Sequence, residues 1–311
     1  MGRFAAGEAA KADGIVADAL VRIGAEIEAL AVPRLAGVVL GGGYGRGEGG
    51  VFVDADGGER LSNDLDFFAV TEEGASGADI AAISAALGPV AERWTEALGV
   101  DVDFTVRTPW RIRHDEERVM IQELVHGYAD VAGAKGETLF AGVERREPSA
   151  FPWTEAARLM MNRGMGLMLA REEGASPGFA ARNINKCVLG AGDARLIARG
   201  GYRWRAEDRA AALGDRLYSA AVAWKFRPRP EPVCDWETAR EAWLAALGET
   251  GVDGSRTLFS ALRWLARRRT VGDWRTFGMD PVARILRRLE GCVRGRRPPD
   301  GALKADWRVF N

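Results

Sequence analysis

Two pairs of aspartates in the first half of the chain have the spacing of metal ligands. Asp64 and Asp66 lie in an apolar stretch that ends at Val70, and Asp101 and Asp103 alternate with apolar residues further along. In a strand, residues i and i+2 project from the same face about 6.5–7 Å apart. Carboxylates gathered in this way repel one another, and hard divalent cations such as Mg²⁺ relieve the repulsion. Two such cations about 3.5–4 Å apart serve in-line phosphoryl or nucleotidyl transfer.

A glycine cluster at residues 41–50 precedes the first aspartate pair. A backbone that lacks side chains can approach a ligand closely, and its N–H groups can bind phosphate oxygens. Arg46, inside the cluster, adds a positively charged fork that suits phosphate. Taken alone, the cluster is equally compatible with a flexible turn. The aspartates that follow it favour phosphate binding.

The elements that position these residues follow from the spacing of the apolar side chains. We predict helices over residues 5–31 and 78–98, and strands over residues 37–40, 64–70 and 100–106. Val102 and Phe104 alternate with the acidic residues of the last strand and are expected in the core. This order predicts an α+β domain with a short mixed sheet over residues 1–145.

The second half of the chain is predicted to be helical, because strand patterns nearly vanish after Phe151. We expect helices near residues 153–173, 178–200, 205–224, 235–247, 254–269 and 280–294. They predict an all-α bundle domain over residues 146–311. The tail beyond residue 294 is expected to be loosely ordered, with Trp307 as a residue that could hold it in place.

Composition indicates a globular protein with an uneven distribution of charge. Hydrophobic residues make up 47% and charged residues 28% of the chain, which excludes disordered and collagen-like classes. The charges of the 43 basic and 44 acidic residues nearly cancel over the whole chain. Residues 1–150, however, hold 14 basic and 26 acidic residues, for a net charge of −12. Residues 151–311 hold 29 basic and 18 acidic residues, for a net charge of +11. Two domains with different roles are therefore expected, the basic one attracting a polyanion such as a triphosphate.

The cysteines and the N-terminus predict a cytoplasmic location. Cys187, Cys234 and Cys292 are widely spaced and odd in number, which disfavours a disulfide framework or a zinc site. Glu8 and Lys11 interrupt any apolar signal segment, and no stretch approaches the ~18 apolar residues of a membrane span. No membrane partner is expected.

The glycine cluster and the aspartates together resemble the nucleotidyltransferase superfamily related to DNA polymerase beta. Its members carry an apolar strand, then G-S-x-x-x-G-E, then S-D-x-D. Residues 42–48 match the first motif, with Gly43 where serine is commoner, and residues 62–68 match the second, with Asn63 inserted. The spacer between the motifs is longer than in the smallest relatives. More loosely, residues 122–127, 162–164, 186–194 and 224–226 look like nucleotidyltransferases with an appended helical domain.

The resemblance implies roles for particular residues. Asp64, Asp66 and Asp103 would be catalytic and would hold two Mg²⁺ ions, with Asp101 nearby or merely on the surface. Gly42, Gly43 and Arg46 would bind the triphosphate, and the helical domain would contribute Lys186. Those residues that bind nucleotide are therefore predicted to come from both domains.

The expected reaction is transfer of a nucleoside monophosphate from a triphosphate, most simply ATP, to a hydroxyl group, with release of pyrophosphate. A small hydroxylated molecule is the first choice of acceptor. A toxin-like enzyme acting on a protein or tRNA is the alternative. A third possibility is a catalytically silent module that binds a nucleotide or a partner. The intact D-x-D argues against silence, whereas the missing serine at residue 43 favours it slightly.

Overall fold

The computed structural model describes residues 3–251, 281–296 and 299–310. These residues form two compact units. The first contains the chain up to Glu147 together with Lys225–Pro228, and the second contains Pro148–Trp224 and the residues from Arg229 onward. The chain therefore returns to the first unit for four residues. The helix predicted over residues 254–269 lies outside the described residues.

The first unit combines a small sheet with helices. Its helices are α1 (Ala10–Leu30), α2 (Gly42–Gly45), α3 (Gly77–Leu98), α4 (Pro109–His114), α5 (Val119–His126) and α6 (Gly136–Leu139). Its strands are β1 (Leu35–Leu40), β2 (Val51–Val53), β3 (Glu59–Leu61), β4 (Leu65–Thr71), β5 (Val102–Arg107) and β6 (Ala129–Gly133).

Four of these strands form a mixed sheet in the order β5-β4-β1-β6. Strands β4 and β5 run parallel, whereas β1 is antiparallel to both of its neighbours. Parallel neighbours need a long crossover connection, and α3 supplies it between β4 and β5. Strands β2 and β3 form a separate hairpin in the spacer between the two motifs. The mixed sheet, followed by a helical region, confirms the predicted α+β fold class.

Apolar side chains cover both faces of the sheet because alternate residues of each strand point in opposite directions. On one face, Leu65, Phe67 and Ala69 of β4 pack with buried residues of α1 and α3. On the other face, Phe68 and Val70 pack with buried residues of α4 and α5. Residues at the ends of the strands are therefore held in a fixed register between two apolar layers.

Helix α1 begins at Ala10 rather than at the predicted residue 5. Phe4 and Ala6 form backbone hydrogen bonds with Gly49, near the end of the glycine cluster. The Asp13 carboxylate accepts from the backbone N–H groups of residues 3–5. These contacts hold the N-terminal segment extended, so it forms a short bridge beside the cluster instead of a first helical turn.

The second unit is built from helices. They are α7 (Trp153–Leu169), α8 (Pro177–Ala198), α9 (Ala206–Leu213), α10 (Arg216–Phe226), α11 (Trp236–Thr250), α12 (Pro281–Val293) and α13 (Gly301–Phe310), and the last two residues of α10 belong to the first unit. Trp243 of α11 is fully buried and donates to the Met160 carbonyl of α7 at 2.8 Å. None of the described helices is both long and apolar enough to span a bilayer.

Several local predictions were wrong. The single helix predicted over residues 205–224 is divided into α9 and α10, because Gly214 adopts a left-handed φ of 65° and ends α9. The tail expected to be loosely ordered forms α13 instead. Trp307 holds it in place, as expected, because its indole donates to Asn162 Oδ1 at 3.0 Å. Neither β6 nor the β2–β3 hairpin was predicted. Their strands are short, so they lack a long alternating pattern.

Two glycines of α1 are expected to respond oppositely to alanine. A Cβ at Gly24 would overlap the Val131 carbonyl oxygen of β6, whereas a Cβ at Gly14 would meet open space. Gly24→Ala should therefore lower the free energy of unfolding by about 1–3 kcal/mol. Gly14→Ala should raise it by about 0.5–1 kcal/mol through helix propensity. Urea unfolding of both variants tests this, and equal responses would contradict close packing of α1 on β6.

Candidate functional site

Asp66 and Asp103 lie side by side in the sheet. The parallel register of β4 and β5 pairs Asp66 directly with Asp103, one residue after the Leu65–Val102 pair. Paired residues of neighbouring strands project from the same face, and adjacent strands are about 4.8 Å apart. Both side chains are exposed, whereas Leu65 and Val102 are buried. Asp66 and Asp103 therefore face the side of the sheet opposite to Leu65 and Val102, as the alternation predicts.

The other two aspartates lie close enough to act on Asp103 electrostatically. Partial burial raises the pKa of the Asp103 carboxyl, and the negative charges of Asp101 and Asp64 raise the pKa further. Asp64 is half-buried at the start of β4, and its neighbour Leu65 donates its N–H to the Asp101 carbonyl at 2.9 Å. The ends of the two strands thus concentrate negative charge at one edge of the sheet.

The chemistry of these side chains fits a hard divalent cation. Carboxylate oxygens are the ligands that Mg²⁺ prefers, and mutual repulsion at Asp103 is what a cation would relieve. Within the described ranges, however, no three His, Cys, Asp or Glu side chains are grouped closely enough to hold one metal ion. The assignment of Asp64, Asp66 and Asp103 to a two-Mg²⁺ site therefore stays a prediction.

The glycine cluster packs directly against Asp66. Gly41 donates its N–H to the Asp66 carbonyl at 2.8 Å. Gly42 has a φ of +62°, and a Cβ on it would overlap the Asp66 carboxylate. A Cβ on Gly43, in contrast, would lie 3.4 Å from the nearest atom, the Glu48 carbonyl oxygen. Glycine is thus required at residue 42, whereas there is room for a Cβ at residue 43, where the family usually has serine.

Arg46 lies between two carboxylates. Its Nη1 is 3.2 Å from Glu123 Oε2 on α5, and its Nε is 3.9 Å from Glu48 Oε2. Only 16% of the Arg46 side chain is exposed, and Glu48 is 3% exposed. The predicted phosphate-binding arginine is therefore held by ion pairs within the first unit, beside the glycine turn.

A second group of hydrogen bonds joins the two sequence motifs. The Tyr44 hydroxyl donates to the Gly50 carbonyl at 2.7 Å and accepts from the Ser62 N–H at 3.1 Å. The Gly50 N–H donates to Asn63 Oδ1 at 2.7 Å. Asn63, which is inserted relative to the family pattern, therefore connects the end of the glycine cluster to the strand that carries the aspartates.

Lys186, the nucleotide-binding residue predicted from the helical half, is half-buried on α8 of the second unit. The structure instead adds a different lysine to the first unit. Lys225 Nζ donates to Glu48 Oε2 at 2.8 Å. The sequence patterns alone indicate no role for Glu48, Glu123 or Lys225. The signals available were the glutamate that ends the G-S-x-x-x-G-E motif and the loose resemblance around Trp224-Lys225-Phe226.

Comparisons with known proteins leave the activity open. No protein-family model and no curated protein matches the chain. Among solved structures, it is similar to the spectinomycin adenyltransferase AAD(9) from Enterococcus faecialis, crystallised with ATP and spectinomycin. The match covers 72% of this chain and 94% of that chain, with 12% sequence identity and a TM-score of 0.44. A match this weak carries no functional conclusion.

Asp103→Asn is expected to stabilise the protein at neutral pH. The pKa of Asp103 is raised above its ordinary 3.8 in the folded state, so its ionisation costs stability as the pH rises through that raised pKa. The gain should be about 0.5 kcal/mol, because solvent screens this exposed carboxylate. Urea unfolding at neutral pH and near pH 3.8 measures it, and the gain should disappear at the lower pH.

Asp54→Asn is the matched control for that pH dependence. The hydrogen bond from Arg60 lowers the pKa of Asp54, so the ionised form of this aspartate stabilises the folded state. Its replacement should therefore destabilise the protein at neutral pH. The same sign for both variants would contradict the electrostatic difference between the two sites.

Gly42→Ala is expected to lower the free energy of unfolding by about 1–2 kcal/mol, the cost of a side chain in the left-handed region. The new methyl group must also displace the Asp66 carboxylate. Gly43→Ala should change stability by about 0.5 kcal/mol or less. Thermal and urea unfolding of the two neighbouring variants tests this, and a tolerated Gly42→Ala would contradict the close approach to Asp66.

Proposed function

We propose that this chain is a nucleotidyltransferase that transfers a nucleoside monophosphate from a nucleoside triphosphate to a hydroxyl acceptor. The observation that carries the proposal is the pairing of Asp66 with Asp103 beside a turn that requires glycine at residue 42. Acidic side chains on adjacent strands and a backbone turn without side chains suit a metal-bound triphosphate.

In this proposal, Asp64, Asp66 and Asp103 hold two Mg²⁺ ions. Bound Mg²⁺ would neutralise the phosphate charge and stabilise the pentavalent transition state. Asp103 would also orient the acceptor hydroxyl and accept its proton. The hydroxyl oxygen forms a bond to the α-phosphorus, the bond from that phosphorus to the bridging oxygen breaks, and pyrophosphate leaves.

The triphosphate would be bound by backbone N–H groups and by positively charged side chains. The backbone N–H groups of Gly42 and Gly43 would bind the β and γ phosphates, and Arg46 would supply positive charge at the turn. Lys186 is proposed as the contribution of the helical unit. ATP is the proposed donor, and the reducing cytoplasm is the proposed location.

The acceptor is proposed to be a small hydroxylated molecule. Purified protein would be incubated with each labelled triphosphate, Mg²⁺ and cell extract, and the label would be followed into small molecules, RNA and protein. Label in small molecules supports the proposal. Label in tRNA or protein supports a toxin-like enzyme, and no transfer from any triphosphate indicates a silent binding module.

Asp66→Asn tests the mechanism directly. We expect turnover to fall by roughly a thousandfold, which corresponds to about 4 kcal/mol of lost transition-state stabilisation. Asp54→Asn, in the exposed β2–β3 turn, is the matched control and should keep its turnover. Circular dichroism would establish that both variants are folded. Unchanged turnover in folded Asp66→Asn would contradict the proposed mechanism.

A further inference from the structure

A buried cluster of charges lies beside the glycine turn, and the first unit contains all of it. It consists of Glu48, Lys225, Arg46 and Glu123, whose side chains are at most 19% exposed. Lys225 Nζ and Arg46 Nε both face the same oxygen, Glu48 Oε2, at 2.8 Å and 3.9 Å. Lys225 thus makes the shorter of these two contacts.

The burial of Glu48 makes its compensation by positive charge necessary. An ionised carboxylate removed from water costs several kcal/mol unless a cation and hydrogen bonds compensate it. Lys225 provides a short charge-assisted hydrogen bond. Because Glu48 is compensated in this way, Arg46 can direct Nη1 toward Glu123 at 3.2 Å.

Arg46 is also the group that would move if Lys225 were absent. Its buried Nε has no hydrogen-bond partner among the described residues, and it already faces Glu48. A small rotation would bring this N–H into bonding distance of the Glu48 carboxylate that has lost its lysine partner. The guanidinium would then leave its position beside Glu123.

The backbone of the same segment packs on the link between the two motifs. A Cβ at Gly50 would overlap the Lys225 carbonyl oxygen and would approach Ser62 and Asn63 as well. Two residues later, Arg227 Nη2 donates to the Glu8 carbonyl at 3.1 Å. The segment Lys225–Pro228 therefore contacts the glycine cluster, the residues before Asp64 and the N-terminal segment.

We propose that Lys225 is a positioning residue for nucleotide binding, acting through Glu48 to keep Arg46 and the glycine turn in the arrangement that receives the triphosphate. The role of the turn rests on the function proposed above. Lys225 itself need not touch the nucleotide. Its effect should therefore depend on the charge of Glu48.

That dependence gives a specific test. Lys225→Met should raise the KM for ATP roughly tenfold with a smaller change in kcat, because Arg46 moves toward Glu48. The double variant Glu48→Gln/Lys225→Met should recover most of the affinity, because a neutral amide does not attract Arg46. Lys225→Arg, which keeps the charge, should remain close to the wild type.

Lys304→Met is the control for loss of a lysine ion pair, since Lys304 binds Glu172 at 2.6 Å in the second unit. It should leave the KM unchanged. A normal KM in Lys225→Met would overturn the proposal. Failure of the Glu48→Gln change to restore affinity would also overturn it, since Lys225 would then act on the ligand directly.

A measurement without nucleotide separates this inference from the proposed function. Hydrogen exchange of the peptide covering residues 41–50 should be faster in Lys225→Met and should return toward the wild-type rate in the double variant. Unchanged exchange in Lys225→Met would overturn the positioning role, whatever the activity. If the wild-type chain showed no turnover but the variants showed these exchange rates, the proposed function would be contradicted and the positioning role of Lys225 would be supported.

Discussion

The parallel pairing of β4 with β5 is the constraint on which the candidate site depends. It brings Asp66 and Asp103 together across a crossover helix, although adjacent like charges are unfavourable. The opposite face stabilises this register, because Phe67 and Phe104 stack with their ring centroids 4.9 Å apart. A slip of one residue would bury the aspartates and expose the phenylalanines. Apolar packing therefore holds in place an acidic pair that electrostatics alone would separate.

The first unit stabilises its negatively charged side chains in two different ways. Asp66 and Asp103 are exposed, so water screens their repulsion and leaves them accessible. Glu48 is buried and is compensated by Lys225 and Arg46. The exposed carboxylates can exchange their counter-ions, whereas the buried one has permanent partners within the chain. This difference separates the acidic residues proposed to bind a ligand from the acidic residue that organises the turn.

The sequence was sufficient to predict strands β1, β4 and β5 and helices α1 and α3, because their apolar residues recur with clear periods. It also predicted that Asp103 and Asp66 belong to one group, through the family resemblance. The short strand β6 was missed because five residues hold too little alternation. The Glu48–Lys225 ion pair was missed for a different reason. Contacts between charged residues 177 positions apart leave no periodic pattern in a sequence.

Because Lys225–Pro228 belongs to the first unit, that unit cannot be completed until these residues have been synthesised. Glu48 leaves the ribosome 177 residues before its lysine partner does. At about 5–20 residues per second, that interval is roughly 9–35 s. The nascent first unit therefore passes this time without the lysine partner of Glu48. The glycine turn would then reach its final form only after α10 has been translated, so the site matures late although its sequence motifs are made early.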